Sequence, residues 1–236
     1  MRRVTRVALA AGLLVIAYKS PAHADIIFCP ESSGTAACSP DGVTGNPEEN
    51  LLFNDEDAGV VLIGTTVTGM TNRTETLIDI TDLSDDLLAV QTSGGGPGGQ
   101  AKVTGDDGSF SHILIAARNP DMGFTQFETN LLAVDGAGQV TVSVTNQFGN
   151  TQVGQYVVDD NGQNFFNLLA YNDQLIKTIE IAAEDGLLLS FIEQIRLGGV
   201  TTDGDGAEPA ALVLFGTALV AGARRLRRRV PLPASA

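Results

Sequence analysis

The chain has 236 residues, 14 basic against 28 acidic, and a formal charge of −14 at neutral pH. Nine basic residues stand before residue 25 or after residue 223, which leaves Arg73, Lys102, Arg118, Lys177 and Arg196 against all 28 acidic side chains, a formal charge of −23 for the stretch between. Nucleic-acid binding is excluded by that balance, because phosphate neutralisation requires clustered cations; an acidic surface of this kind repels anionic polymers and attracts divalent cations.

In chain order, Arg2, Arg3 and Arg6 precede an apolar stretch at 7–17, and Ala22-His23-Ala24 supplies small residues before Asp25. The pattern predicts a secretory signal peptide at 1–24, cleaved between Ala24 and Asp25, since the apolar stretch is too short for a spanning helix. Cys29 and Cys38, the two cysteines of the chain, then enter an oxidising compartment. A disulfide across the small loop between them is the expectation, two free thiols the other reading.

Residues 25–199 have the length of one domain and read as β throughout. In the run 139–145, valines alternate with polar residues at period two, the pattern of a half-buried strand. Similar runs lie at 59–68, 76–80, 110–118, 126–134, 155–158, 175–182 and 188–197. Turn signals stand between them at 104–108, 119–123, 147–150 and 159–162. Short strands at this spacing predict a β-sandwich of jelly-roll type. The run 165–170 fits either a buried strand or a turn of helix. The glycine-rich stretch 93–100 reads as a flexible loop; as a phosphate cradle it lacks the lysine and the following helix.

Chemistry-bearing residues are sparse. After signal removal His112 is the only histidine, and it lies mid-strand, where a surface or hydrogen-bonded core role is the usual one. Metallohydrolase ligand sets and cysteine-based sites lack their residues, and no Gly-x-Ser-x-Gly elbow precedes a helix. The remaining enzyme class is a two-carboxylate glycosidase, with Glu128, Glu180 and Glu193 inside predicted strands; glutamates on a solvent face are the plainer explanation. Aspartate-rich loops at 54–57, 82–86, 106–107, 159–161 and 203–205 could supply oxygens to a structural calcium, although none fits a helix-loop-helix or nonapeptide pattern. For glycan stacking there is no tryptophan, which leaves Tyr156, Tyr171 or an exposed phenylalanine.

The end of the chain predicts sorting. A linker at 200–207 leads to Glu208-Pro209, an uncharged segment at 210–223, and Arg224, Arg225, Arg227, Arg228 and Arg229. The uncharged segment makes a helix of roughly 21 Å, against a hydrocarbon core of about 30 Å. It is short for a permanent anchor and long enough for transient residence with snorkelling arginines. The arginine cluster holds its side of the membrane on the cytoplasmic face and leaves the folded domain outside.

These three parts resemble the PEP-CTERM sorting signal of Gram-negative surface proteins, with Ala207 where the family has its first proline and seven residues after the arginines. The resemblance covers 207–229 and implies a tail at 208–236 handled by an exosortase-type transpeptidase, which delivers the protein to the cell surface or extracellular matrix. Residues 123–127, 146–150, 161–166 and 193–199 also resemble β-sandwich domains that precede such tails, whose molecular function is undetermined. The expectation is therefore a secreted, surface-displayed, non-enzymatic β-sandwich associated with an extracellular matrix or exopolysaccharide. A calcium-dependent carbohydrate-binding module and a two-carboxylate glycosidase are the alternatives.

Overall fold

The computed structural model describes residues 26–30, 49–54, 57–92, 101–161 and 164–202. Ala24, Asp25, Cys38, the loop 93–100, most of the linker, and the tail with Glu208, Pro209, Arg224, Arg225, Arg227, Arg228 and Arg229 lie outside the described residues. Among the described residues there is no helix, hence none long and apolar enough to cross a membrane.

The strands are β1 (Ile26–Pro30), β2 (Glu49–Leu52), β3 (Ile63–Gly64), β4 (Thr66–Thr71), β5 (Leu77–Asp82), β6 (Leu88–Thr92), β7 (Ala101–Gly105) and β8 (His112–Ala117). After them come β9 (Met122–Gly123), β10 (Gln126–Ala133), β11 (Gly138–Asn146), β12 (Thr151–Val158), β13 (Asn164–Ala170), β14 (Ile176–Ala183), β15 (Leu189–Gly198) and β16 (Thr201–Thr202). The run 165–170, ambiguous by periodicity, lies within β13. β16 pairs with β9, so the fold extends past Gly199.

All pairings are antiparallel, and they sort into two layers. Sheet A runs β1-β13-β10-β15-β7-β6-β3, and sheet B runs β4-β5-β8-β14-β11-β12. β2 belongs to both, because Glu49 and Asn50 pair with β15 while Leu51 and Leu52 pair with β4. It is the corner at which one sheet passes into the other. Four pairs, β7 with β15, β8 with β14, β10 with β13 and β11 with β12, alternate between the layers along the chain. An antiparallel ribbon wound in this way is a jelly roll.

The period-two pattern explains the core. On sheet B, Val67, Ile80, Ile115, Ile179 and Val144 stand in register across five strands and are fully buried. On sheet A, Leu168, Phe127 and Leu197 form the facing row. Both rows enter one hydrophobic cluster. Aromatic rings tie the layers together: Tyr156 of β12 lies 4.7 Å from Phe166 of β13 and 6.4 Å from Phe28 of β1, centroid to centroid. The approach requires glycine at position 154, where a Cβ would stand 2.4 Å from the Phe28 ring. Burial pushes the Tyr156 phenol above its ordinary range, with the Cys29 backbone opposing. Cys29 itself is disulfide-bonded, and no free cysteine occurs among the described residues.

The predicted turns at 106–108, 119–121 and 147–150 are present, with the outer residues of the first two taken into β7 and β9, and Gly162 lies outside the described residues. Between β11 and β12, Asn146 Oδ1 accepts hydrogen bonds from the backbone N–H groups of Phe148 and Asn150, at 3.0 and 2.9 Å, and its Nδ2 donates to Gln174 Oε1 at 2.7 Å.

Candidate functional site

In a jelly roll each strand presents alternate residues to solvent, so the chemistry available to a partner is set by the two outer faces. On sheet A the outer face reads as two polar rows across five strands. One row is Cys29, Asn167, Glu128, Arg196 and Asn50, each in register with the next. The other is Phe165, Asn130, Glu193, Lys102 and Gln91.

A β-bulge makes this arrangement possible. Glu193 and Arg196 are three residues apart and would face opposite sides of a regular strand. Three residues of β10, Glu128 to Asn130, stand opposite four of β15, Glu193 to Arg196, which restores both side chains to one face. The extra residue is accommodated at Gln194, whose φ of 54° is left-handed, the one such non-glycine within a strand of the described residues. Left-handed φ in a non-glycine costs roughly 1 kcal/mol, and such strain gathers at functional positions.

The two rows are charged but compensated. Arg196 Nη1 donates to Glu128 Oε1 at 2.8 Å, Lys102 Nζ lies 3.4 Å from Glu193 Oε2, and Asn130 Nδ2 donates to Glu193 Oε1 at 3.0 Å. Lys102 also sits 3.8 Å above the Phe191 ring, a cation–π contact. Burial is unusual for a surface: Glu128 is 8% exposed and Asn130 3%. The Oδ1 atoms of Asn130 and Asn167 are buried without a hydrogen-bond donor. Each such acceptor costs about 1–3 kcal/mol when left unpaired. Two of them, both closed to solvent, stand beside two ion pairs on this face, so a donor from outside reaches them only where a neighbouring side chain moves aside.

Of the three glutamates singled out by sequence, the structure brings Glu128 and Glu193 onto this face. Glu180 stands on the opposite outer face, where its Oε1 lies 2.7 Å from His112 Nε2. That pair is partly exposed, at 33% and 44% of side-chain surface. The pair serves as a cross-strand tie between β8 and β14. Sequence reasoning does not single out Asn130, Asn167, Lys102 or Arg196 as site residues. For Asn130 the signal lies in 126–131, where Gln126, Glu128 and Asn130 interleave with the buried Phe127, Thr129 and Leu131.

The aspartate-rich loops act as turn supports. Asp82 Oδ1 accepts from the N–H groups of Ser84 and Asp86 at 2.6 and 3.1 Å, Asp107 Oδ1 from Ser109 at 3.0 Å, and Asp159 Oδ1 from Asn161 at 3.0 Å. Asp57 Oδ2 accepts from Asn54 Nδ2 at 3.0 Å. Among the described residues no three His, Cys, Asp or Glu side chains converge in a way that could hold a metal ion; Asp203 and Asp205 lie outside them.

A small cleft opens at the corner strand. It has a volume of about 110 Å³ and is lined by Asn50, Leu51, Leu52, Phe53, Ala101, Gln194 and Ile195. Its position follows from the topology, because β15 pairs with β7 only at Ile192 and Glu193 and with β2 only at Arg196 and Leu197. The edge of β15 at Gln194 and Ile195 faces the gap between them.

No family model matches the chain, and no curated protein matches it. Solved structures that it resembles include an exo-beta-agarase, at 12% identity and a TM-score of 0.35, over 65% of this chain and 25% of the agarase. A family 11 carbohydrate-binding module from Clostridium thermocellum, in complex with a beta-1,3-1,4-mixed-linked tetrasaccharide, is similar at 12% identity and a TM-score of 0.32, over 64% of this chain and 96% of the module. The family 11 module of a cellulosomal cellulase of the same organism is similar at 13% identity and a TM-score of 0.31, over 66% and 96%.

Proposed function

We propose that this protein is a secreted, surface-displayed, non-enzymatic component of an extracellular matrix, and that it holds an exopolysaccharide on the outer face of sheet A. The observation that carries the reading is the pair of unpartnered, buried acceptors, Asn130 Oδ1 and Asn167 Oδ1, set among the Glu128–Arg196 and Glu193–Lys102 pairs. Sugar hydroxyls are donors that satisfy such acceptors once a covering side chain moves aside, and Phe165 and Phe191 offer apolar surface to the C–H faces of sugar rings. A body of formal charge −23 disfavours an anionic polymer, so the expected glycan is neutral. The signal peptide at 1–24 and the tail from Glu208 supply the route, with an exosortase-type transpeptidase as sorting partner and transient membrane contact through 210–223.

The non-catalytic reading is supported by the carboxylates themselves. A two-carboxylate glycosidase needs one acid and one base with separated roles, whereas Glu128 and Glu193 are each engaged by a cation of their own. The test is co-sedimentation of the full chain with its host's extracellular polysaccharide, with and without a chelator, while reducing ends are assayed in the supernatant. The proposal expects co-sedimentation in both conditions and no new reducing ends. Absence of co-sedimentation overturns it. Loss with chelator would move the reading to calcium-dependent binding, and reducing ends abolished by Glu128→Gln would move it to hydrolysis. For the route, intact mass in the native host should show loss of residues 1–24 and a cut near Glu208-Pro209; a chain that keeps its arginines and stays in the membrane contradicts the sorting step.

A further inference from the structure

We infer that the cleft at the corner strand is a specificity pocket for the acetamido substituent of an N-acetylated sugar. The inference rests on the polysaccharide reading and extends it to the class of sugar. Three features of the cleft point the same way. First, its floor holds apolar side chains, Leu51, Phe53 and Ile195 each keeping 5% of their surface and Ala101 7%, while the larger part of its open lining is polar. Second, its rim carries two carboxamides, Asn50 and Gln194. Asn50 engages Asn72 through its backbone N–H and C=O only, and no bond involves the Gln194 side chain. Third, its size is restrictive. An apolar cavity of about 150 Å³ admits benzene, and this cleft, at about 110 Å³, takes a group smaller than a ring.

An acetamido group has the matching chemistry. Its methyl fits an apolar floor, its N–H donates to a carboxamide oxygen, and its C=O accepts from a carboxamide N–H. The location fits as well, because Asn50 closes the polar row that begins at Cys29, and Gln194 is the bulge residue between Glu193 and Arg196. A sugar chain lying along that row brings a ring substituent to the mouth of the cleft. The left-handed φ of Gln194 then has a purpose, since glycine at this position would relieve the strain and remove the amide.

The experiment compares N-acetylglucosamine and glucose β-1,4-linked hexamers, which share a backbone and differ at one ring substituent, by calorimetric titration of the full chain. The expected result is about ten-fold tighter binding of the N-acetylated hexamer, the share of one buried methyl and one or two hydrogen bonds. Gln194→Gly should abolish the preference while raising Tm by about 1–4 °C, the opposite of what a purely structural glutamine would do. Equal binding of both hexamers overturns the pocket and leaves the polysaccharide reading standing. Binding of neither, together with no co-sedimentation with the host polysaccharide, overturns both. A preference that survives Gln194→Gly and also Asn50→Ala assigns the discrimination elsewhere and overturns the pocket.

Discussion

The two outer faces of the sandwich come from the same alternation of residues and end in different states. On the outer face of sheet B polar groups pair with one another across strands, and the unpaired Asp82 Oδ2 at the end of β5 lies on the inner side, in register with Ile113. Thr66 and Thr81 hydroxyls lie 2.9 Å apart, as do those of Thr145 and Thr151. Arg118 grips Asp79 through Nε at 3.1 Å and Nη2 at 2.8 Å, and its Nη1 donates to the Gly59 carbonyl at 3.0 Å. On sheet A two polar groups fall short of donors, Asn130 and Asn167 each being left with a buried, unpaired oxygen. A face that closes its own hydrogen bonds is finished as a surface; spare buried acceptors call for an explanation, and a bound polysaccharide is the one proposed above.

The strongest way to break that contrast is to remove a charge from each face. Glu128→Ala leaves Arg196 over a mostly buried patch, and since the two side chains are 11% and 34% exposed the loss should be about 2 kcal/mol, with polysaccharide binding falling at least ten-fold. Glu180→Ala on sheet B, whose pair with His112 is substantially exposed, should cost less than about 0.5 kcal/mol and leave binding unchanged. Urea unfolding and co-sedimentation read both outcomes. Equal effects on the two faces would erase the distinction.

A second test reverses the sign. Asn167→Leu removes an unsatisfied oxygen from sheet A and should stabilise the fold by about 1 kcal/mol while weakening binding. Thr68→Val on sheet B removes a hydroxyl that donates to Asp79 Oδ1 at 2.7 Å and should destabilise by about 1 kcal/mol. If Asn167→Leu were destabilising as well, its oxygen would be satisfied in solution.

A smaller effect is expected between the faces, at Tyr156. Its buried hydroxyl favours the neutral phenol in the folded state, which raises its pKa above the ordinary value of 10. That contribution is fully present below pH 10 and is lost as pH rises above it, because the unfolded chain releases the proton first. Tyr156→Phe should be neutral or stabilising by up to about 1 kcal/mol at pH 7 and should flatten the alkaline decline. Thermal melts from pH 7 to 11 measure this.

How much of this could be read in advance differs by element. The long strands β8, β11, β14 and β15 were legible because each buries one face, so valines and isoleucines recur at period two in 112–117, 138–146 and 176–183. The strands β1, β2, β6 and β7 were not assigned. Each has four or five residues, too short for periodicity to stand out; β1 contains Pro30, and β2 turns from one sheet into the other within Glu49–Leu52. For the site, Glu128 and Glu193 were legible as strand carboxylates. Their shared face was not, because it depends on the bulge at Gln194, and one extra residue inverts every side-chain assignment beyond it. The cleft was equally hidden, since it arises where β7 and β2 divide the edge of β15, a fact of long-range pairing.

The central claim is that sheet A, and not sheet B, holds the polysaccharide. Amide hydrogen exchange of the full chain, with and without the host polysaccharide, tests it most directly. The account predicts slowed exchange in the segments 126–133, 164–170 and 189–198, with 77–82, 112–117 and 176–183 unchanged. Slowing confined to the sheet B segments, or absent from both sets at saturating polysaccharide, would contradict it.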